Sequence, residues 1–216
     1  MFCFNKEPEP DKVSGFYDQR YAEKNDHFAQ KDSYIEELES ALGHEPLTGG
    51  ERVLDLCCNT GRTISYLNDK LKINAVGLDR NPVALEMAHQ REPEVMFVRC
   101  EGPELPFAEG SFHRVVFNHA LGHVPDAFGF VVECYRVLKP QGVLSIATPN
   151  YWYKLAMTIP NLFNTYQPDP TVLRTYSVSG LAQLLREVGF TQPLVYSFGE
   201  KTWAGSRSRV LAVAKK

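Results

Sequence analysis

An α/β fold with a mostly parallel, doubly wound sheet is predicted from three observations. Arg52-Val-Leu-Asp-Leu56 is a short apolar run, a polar turn follows at Asn59-Thr-Gly61, and Thr63-Ile-Ser-Tyr-Leu67 opens a helix. That strand, tight loop and helix make the first half of a βαβ unit. A second apolar run, Ala75-Val-Gly-Leu78, ends in Asp79 and leads through Asn81-Pro82, an N-cap and first-turn proline pair, into a helix reaching about Gln90. The chain has 216 residues, 44% of them apolar, which suits one α/β domain with a proper core.

The remaining elements are read in order. Residues 1–12 are a loose polar start. Val13 to Ala41 reads as two helices broken near Asn25-Asp26, a helical lid over 13–43 in which Tyr17 and Tyr21 share a face one turn apart. His44 to Gly50, with Pro46 and two glycines, is a linker, and the sheet begins at Arg52. Val95-Met-Phe-Val98 is the third strand, and Ser111 to Phe117 leads into the fourth. A helix from about Asp126 to Leu138 follows, then a turn at Lys139-Pro-Gln-Gly142 into a strand over Val143–Ala147.

Residues 148–177 hold Tyr151, Trp152, Tyr153, Met157, Phe163 and Tyr166, interrupted by Pro160, Pro168 and Pro170. An apolar, proline-broken insertion at the carboxyl face of a sheet suits a substrate cap. Ser177 to Phe190 is an amphipathic helix with Gly189 as its stop. Strands from about Gln192 to Phe198 and from Arg207 to Ala214 form a closing antiparallel pair.

Composition excludes several classes. Lys and Arg number 23 against 26 Asp and Glu, for a net charge of -3, and no basic run offers bulk affinity for nucleic-acid phosphates. Five cysteines, scattered apart from Cys57 and Cys58, fit free thiols in a reducing compartment. No stretch reaches the ~18 apolar residues of a membrane span, and Met1-Phe-Cys-Phe-Asn-Lys-Glu7 is not the start of a secretory leader, so a cytoplasmic protein without stable membrane insertion is expected. The oligomeric state is left open.

The loop after the first strand is where open α/β sheets bind nucleotides. Asp55 stands at the strand end, and Asp79 lies about 20 residues past the loop, the spacing at which a carboxylate reaches ribose hydroxyls. Asp55-Leu-Cys57-Cys-Asn59-Thr-Gly61 resembles motif I, D/E-x-G-x-G-x-G, of the class I S-adenosylmethionine-dependent methyltransferases, with two of the three glycines replaced. Asn59 tolerates positive φ better than most residues, whereas Cys57 requires an ordinary backbone angle or strain. A dinucleotide G-x-G-x-x-G would fall on Cys57, Asn59 and Arg62, none of them glycine, which argues against a nicotinamide enzyme.

Further segments carry the same resemblance. Phe16-Tyr-Asp-Gln-Arg-Tyr21 is similar to the family's N-terminal Tyr-Asp element. Cys100-Glu-Gly-Pro-Glu-Leu-Pro-Phe107 resembles G-D-A-x-x-L-P-F, Arg136 to Leu144 resembles R-V-L-K-P-G-G-x-L, and the Leu181 to Phe190 helix resembles L-x-x-L-L-x-x-x-G-F. The resemblance implies a Rossmann-like sheet of seven strands in the order 3-2-1-4-5-7-6, the last antiparallel, in a single domain over 1–216. It implies S-adenosyl-L-methionine as cofactor, held by Tyr17, Tyr21, Asp55, Cys57, Asn59, Gly61, Asp79, Arg80, Glu101, Gly102 and Asn118. In that scheme Tyr17 or Tyr21 closes over the methionine end and Glu101 meets the adenine amino group.

The implied reaction is methyl transfer to a small-molecule acceptor, for which a hydroxyl on a moderately apolar metabolite, or on a glycan or lipid intermediate, is expected. Asp169-Pro-Thr-Val-Leu-Arg-Thr-Tyr-Ser177 resembles the family's D-P-x-H-x-R-x-Y-S segment, with Val172 in place of His. His119 and His123 follow the fourth strand and are the candidate bases, since imidazole titrates near neutral pH. Their His-x-x-x-His spacing lacks a nearby carboxylate pair, so no metal site is expected. The alternatives are a binding protein that kept the fold without methylating and, with less in its favour, a dinucleotide-dependent oxidoreductase.

Overall fold

The computed structural model describes residues 33–158, 171–201 and 205–216. Tyr17, Tyr21, the first predicted N-terminal helix, Phe163, Tyr166 and the three prolines of the cap lie outside the described residues.

Strand β1 (Arg52–Leu56) is buried along four of its five residues, because a central parallel strand is covered on both faces. Helix α2 (Arg62–Leu71) returns the chain to β2 (Asn74–Asp79), which pairs parallel to β1 with Leu56 beside Leu78. Helix α3 (Pro82–Arg91) starts as its sequence requires: the Asn81 side chain accepts from the amides of Val83 and Ala84 at 2.9 and 3.0 Å. Such a cap typically stabilises by about 1 kcal/mol. Strand β3 (Met96–Arg99) forms one edge, and β4 (Phe112–Asn118) pairs on the other side of β1.

Helix α4 (Ala127–Val137) is capped by Asp126 and runs into β5 (Leu138–Pro149). Lys139–Gly142, expected as a turn before the strand, is an excursion inside it. Register against β4 jumps from Leu138 to Val143, with Gln141 at φ 64°. The excursion persists because the C-terminal residue closes it, Lys216 donating its amide to the Gly142 carbonyl at 3.0 Å.

Helix α5 (Tyr151–Thr158) follows β5 directly, so the first part of the expected cap is helical. Helix α6 (Val178–Val188) begins at the Ser177 cap and stops at Gly189, whose φ of 117° suits glycine. Strands β6 (Thr191–Lys201) and β7 (Arg207–Lys215) close the sheet, β7 antiparallel to both neighbours. The strand order is β3-β2-β1-β4-β5-β7-β6, as expected from the sequence.

Alternation along the strands supplies two apolar faces. Leu54, Leu56, Val115, Phe117, Leu144 and Ile146 pack with α4 and α6. Val53, Ala75 and Val116 pack on the other side with α2 and with helix α1 (Ser33–His44), which runs three residues past the expected end at Ala41. The carboxyl ends of β1, β2, β4 and β5 consequently meet at one edge, where Asp55, Asp79, Asn118 and Pro149 lie.

Candidate active site

A cavity of about 450 Å³ opens at that edge. Asp55, Cys57, Asn59, Asp79, Arg80, Glu101, Asn118, His119 and His123 all line it. Gly61 and Gly102 do not. Gly61, at φ 73°, caps α2, and a Cβ there would stand 3.1 Å from that of Ala88. The Gly102 carbonyl accepts from the Cys100 thiol at 3.6 Å.

The loop after β1 lacks two of the motif's three glycines and keeps their geometry. Cys57 and Asn59 have φ of 59° and 53°, both left-handed. Asn59 belongs to the residues that tolerate this, and its side chain accepts from the Thr60 amide at 2.6 Å. Cys57 stores strain, of order 1–2 kcal/mol for a side chain in this region. Its thiol is pushed up by burial and by the charges of Asp79 and Asp55, which makes it a poor nucleophile.

Asp79 organises the loop. One carboxylate oxygen accepts from the Asn59 amide and the other from the Asn81 amide, each at 2.9 Å. Burial raises its pKa, and these amide bonds oppose the rise. Asp55 is nearly inaccessible, and its Oδ2 has no hydrogen-bond partner among the described residues. Burial, with the charge of Asp79 second, pushes its pKa up to about 8. A buried carboxylate oxygen left unpaired is costly, so the site calls for a donor there. The ammonium group and hydroxyls of S-adenosylmethionine are such donors. Glu101, on the rim, is exposed and paired with Arg99 at 2.6 Å.

Beyond this half of the cavity lie the two histidines. His123 Nδ1 is 2.9 Å from the Thr171 hydroxyl, and the Gly122 carbonyl accepts from the amides of Leu173 and Arg174. These bonds tie the loop after β4 to the segment before α6. His119 sits at φ 58°, its amide held by the Ala147 carbonyl at 2.7 Å. Its Nε2 hydrogen-bonds Oε2 of Glu37, and its ring meets Tyr34 edge-on at 4.2 Å. Glu37 is 2% exposed, and its Oε1 lies 3.3 Å from Nε of Arg209. Tyr34, Tyr153, Lys154, Val172, Ser208 and Arg209 also line the cavity.

Sequence reading missed Glu37, Lys154, Thr171 and Arg209. Two signals were available. Glu37 lies three residues after Tyr34 and four before the buried Ala41, so it falls on the inner face of α1. Because β7 is antiparallel, its beginning meets the carboxyl end of β5, and Arg209 pairs with Pro149.

Sheet order, the acid at each of the first two strand ends and the cavity between them define a class of protein, the Rossmann-like nucleotide-binding enzymes. Comparison narrows it. The methyltransferase domain family matches residues 54–146. An uncharacterized methyltransferase of Synechocystis is 32% identical over 153 residues, 67% of this chain and 69% of that protein. A demethylmenaquinone methyltransferase of Beutenbergia cavernae is 36% identical over 107 residues, which are 50% of this chain and 43% of the relative's length. Among solved structures, an S-adenosylmethionine-dependent methyltransferase of Mesorhizobium loti superposes with a TM-score of 0.69 at 19% identity, covering 83% of this chain and 97% of its own. The chain belongs to the S-adenosylmethionine-dependent methyltransferases, and its cofactor is S-adenosyl-L-methionine.

Proposed function

We propose that this protein transfers the methyl group of S-adenosylmethionine to a hydroxyl of a small, moderately apolar acceptor, with His119 as the proton acceptor and His123 as the second candidate. The carrying observation is the placement of His119 on the cavity wall with its ring held by a buried carboxylate. The cofactor's sulfonium is already activated, so the protein's task is to position the acceptor, exclude water and take its proton.

Asp55, Asp79, Asn59 and Glu101 hold the cofactor in this reading. Tyr34, Ile35, Pro149, Tyr153 and Val172 give the far half an apolar lining for the acceptor. Helices α1 and α5 both contribute residues to its wall. The names of relatives that methylate demethylmenaquinone support an apolar acceptor.

His119→Ala is expected to lower turnover by about 10²–10⁴-fold with unchanged cofactor affinity, the usual cost of losing a general base. The measurement is steady-state transfer from S-adenosylmethionine to a panel of apolar hydroxyl compounds, with calorimetry of S-adenosylhomocysteine alongside. If His119→Ala and His123→Ala both transfer at the wild-type rate, no base is needed, and an amine or an already acidic hydroxyl becomes the acceptor.

A further inference from the structure

We infer that Glu37 is the positioning residue for His119, fixing the tautomer in which Nε2 carries the proton and Nδ1 keeps a lone pair. The inference rests on the reading of His119 as base and adds what makes it one. Three segments far apart in the chain meet here: α1 supplies Glu37, the loop after β4 supplies His119, and β7 supplies Arg209.

Glu37 is buried, so its charge requires a partner. Arg209, with Nε 3.3 Å from Oε1, supplies the countercharge. An ionised carboxylate only accepts hydrogen bonds, so the bond between Glu37 Oε2 and His119 Nε2 is donated by the imidazole. The neutral ring then holds its single hydrogen on Nε2, leaving Nδ1 as acceptor. Nδ1 has no hydrogen-bond partner among the described residues, and it is not a buried, unsatisfied atom.

The backbone supports the same arrangement. His119 occupies the left-handed region at φ 58°, its amide is locked to Ala147, and Tyr34 packs against the ring from α1. A residue held in a sparsely populated conformation needs surroundings that enforce it. When the ring accepts a proton at Nδ1, the Glu37 carboxylate stabilises the imidazolium that forms. His123 Nδ1 faces the Thr171 hydroxyl, which carries no charge.

The test is nitrogen NMR of the full chain labelled with ¹⁵N-histidine, with His119→Ala used to assign the ring signals. The expected wild-type spectrum above neutral pH shows His119 protonated on Nε2 with a bare Nδ1. Glu37→Gln should shift both ring nitrogens toward the averaged values of exchanging tautomers, and Glu37→Asp should restore the Nε2-protonated pattern. A wild-type ring protonated on Nδ1, or a Glu37→Gln spectrum unchanged from wild type, overturns the inference. If Glu37→Gln does not fold, the wild-type spectrum decides alone. Failure of the underlying reading is distinct: the tautomer is as expected, yet His119→Ala transfers methyl groups at the wild-type rate.

Discussion

The backbone amide of Asn59 donates to Oδ2 of Asp79 at 2.9 Å, so the acid at the end of β2 also holds the loop that follows β1. One carboxylate thus shapes the cradle and is the proposed acceptor for the cofactor's ribose hydroxyls. Asp79→Ala removes the acceptor for two loop amides and, in the proposed reading, for the cofactor hydroxyls. Cofactor binding should weaken by roughly 1–3 kcal/mol, the cost of leaving such groups unpaired, and the melting temperature should fall as well. Calorimetry with S-adenosylhomocysteine checks the first and a thermal scan the second; undiminished affinity would remove Asp79 from the cofactor site.

Asp55 makes the cofactor-free protein sensitive to pH. Burial, with the charge of Asp79 second, pushes its folded pKa up to about 8, above the ~3.9 of an ordinary aspartate. The folded state therefore keeps a proton that the unfolded state has lost between those values, and stability falls as pH rises through that window. Above about pH 8 both states are ionised and the effect levels off. Asp55→Asn should flatten this dependence, so its advantage over wild type grows from pH 4 to about pH 8 in chemical denaturation. A parallel pair of stability curves would show that Asp55 ionises normally in the fold.

Cys57 and Asn59 hold left-handed angles that glycine adopts freely. Cys57→Gly relieves strain of order 1–2 kcal/mol and gives back roughly 0.4–1 kcal/mol through the freer unfolded chain. Asn59→Gly gains less, since it also loses the side-chain bond to the Thr60 amide. The double variant is expected to bind the cofactor as tightly as wild type or more tightly, by calorimetry. A large loss would mean that the two side chains touch the ligand.

Two neighbours on α5 offer an internal control. Tyr153 lines the cavity, whereas Trp152 is 56% exposed and does not. Tyr153→Ala should mainly raise the acceptor KM, leaving cofactor affinity in place, while Trp152→Ala should change neither. If both variants behave like wild type in transfer assays, α5 is packing and the acceptor enters elsewhere.

Much of the cofactor half was legible because its signals are local. Asp55 and Asp79 each follow their own apolar run, and Asn81-Pro82 announces its helix within two residues. A strand, its turn and the next helix are consecutive in the chain, so their residues meet without help from distant segments. The excursion at Lys139–Gly142 was not legible as part of a strand, because the amide that closes it belongs to Lys216.

The acceptor half depends on contacts across long separations. His119 could be named as a candidate from its place after β4, but its partner is 82 residues away on α1. Arg209 reaches the site because β7 runs opposite to β5, a pairing expressed only in the assembled sheet. By itself the sequence determined the alternation of strands and helices, the carboxylates at the strand ends and the family, since hydrophobic periodicity, caps and turn residues act over a few positions. The tertiary structure decided which charges are buried together, because the cost of burying Glu37 is offset only where His119 and Arg209 converge on it.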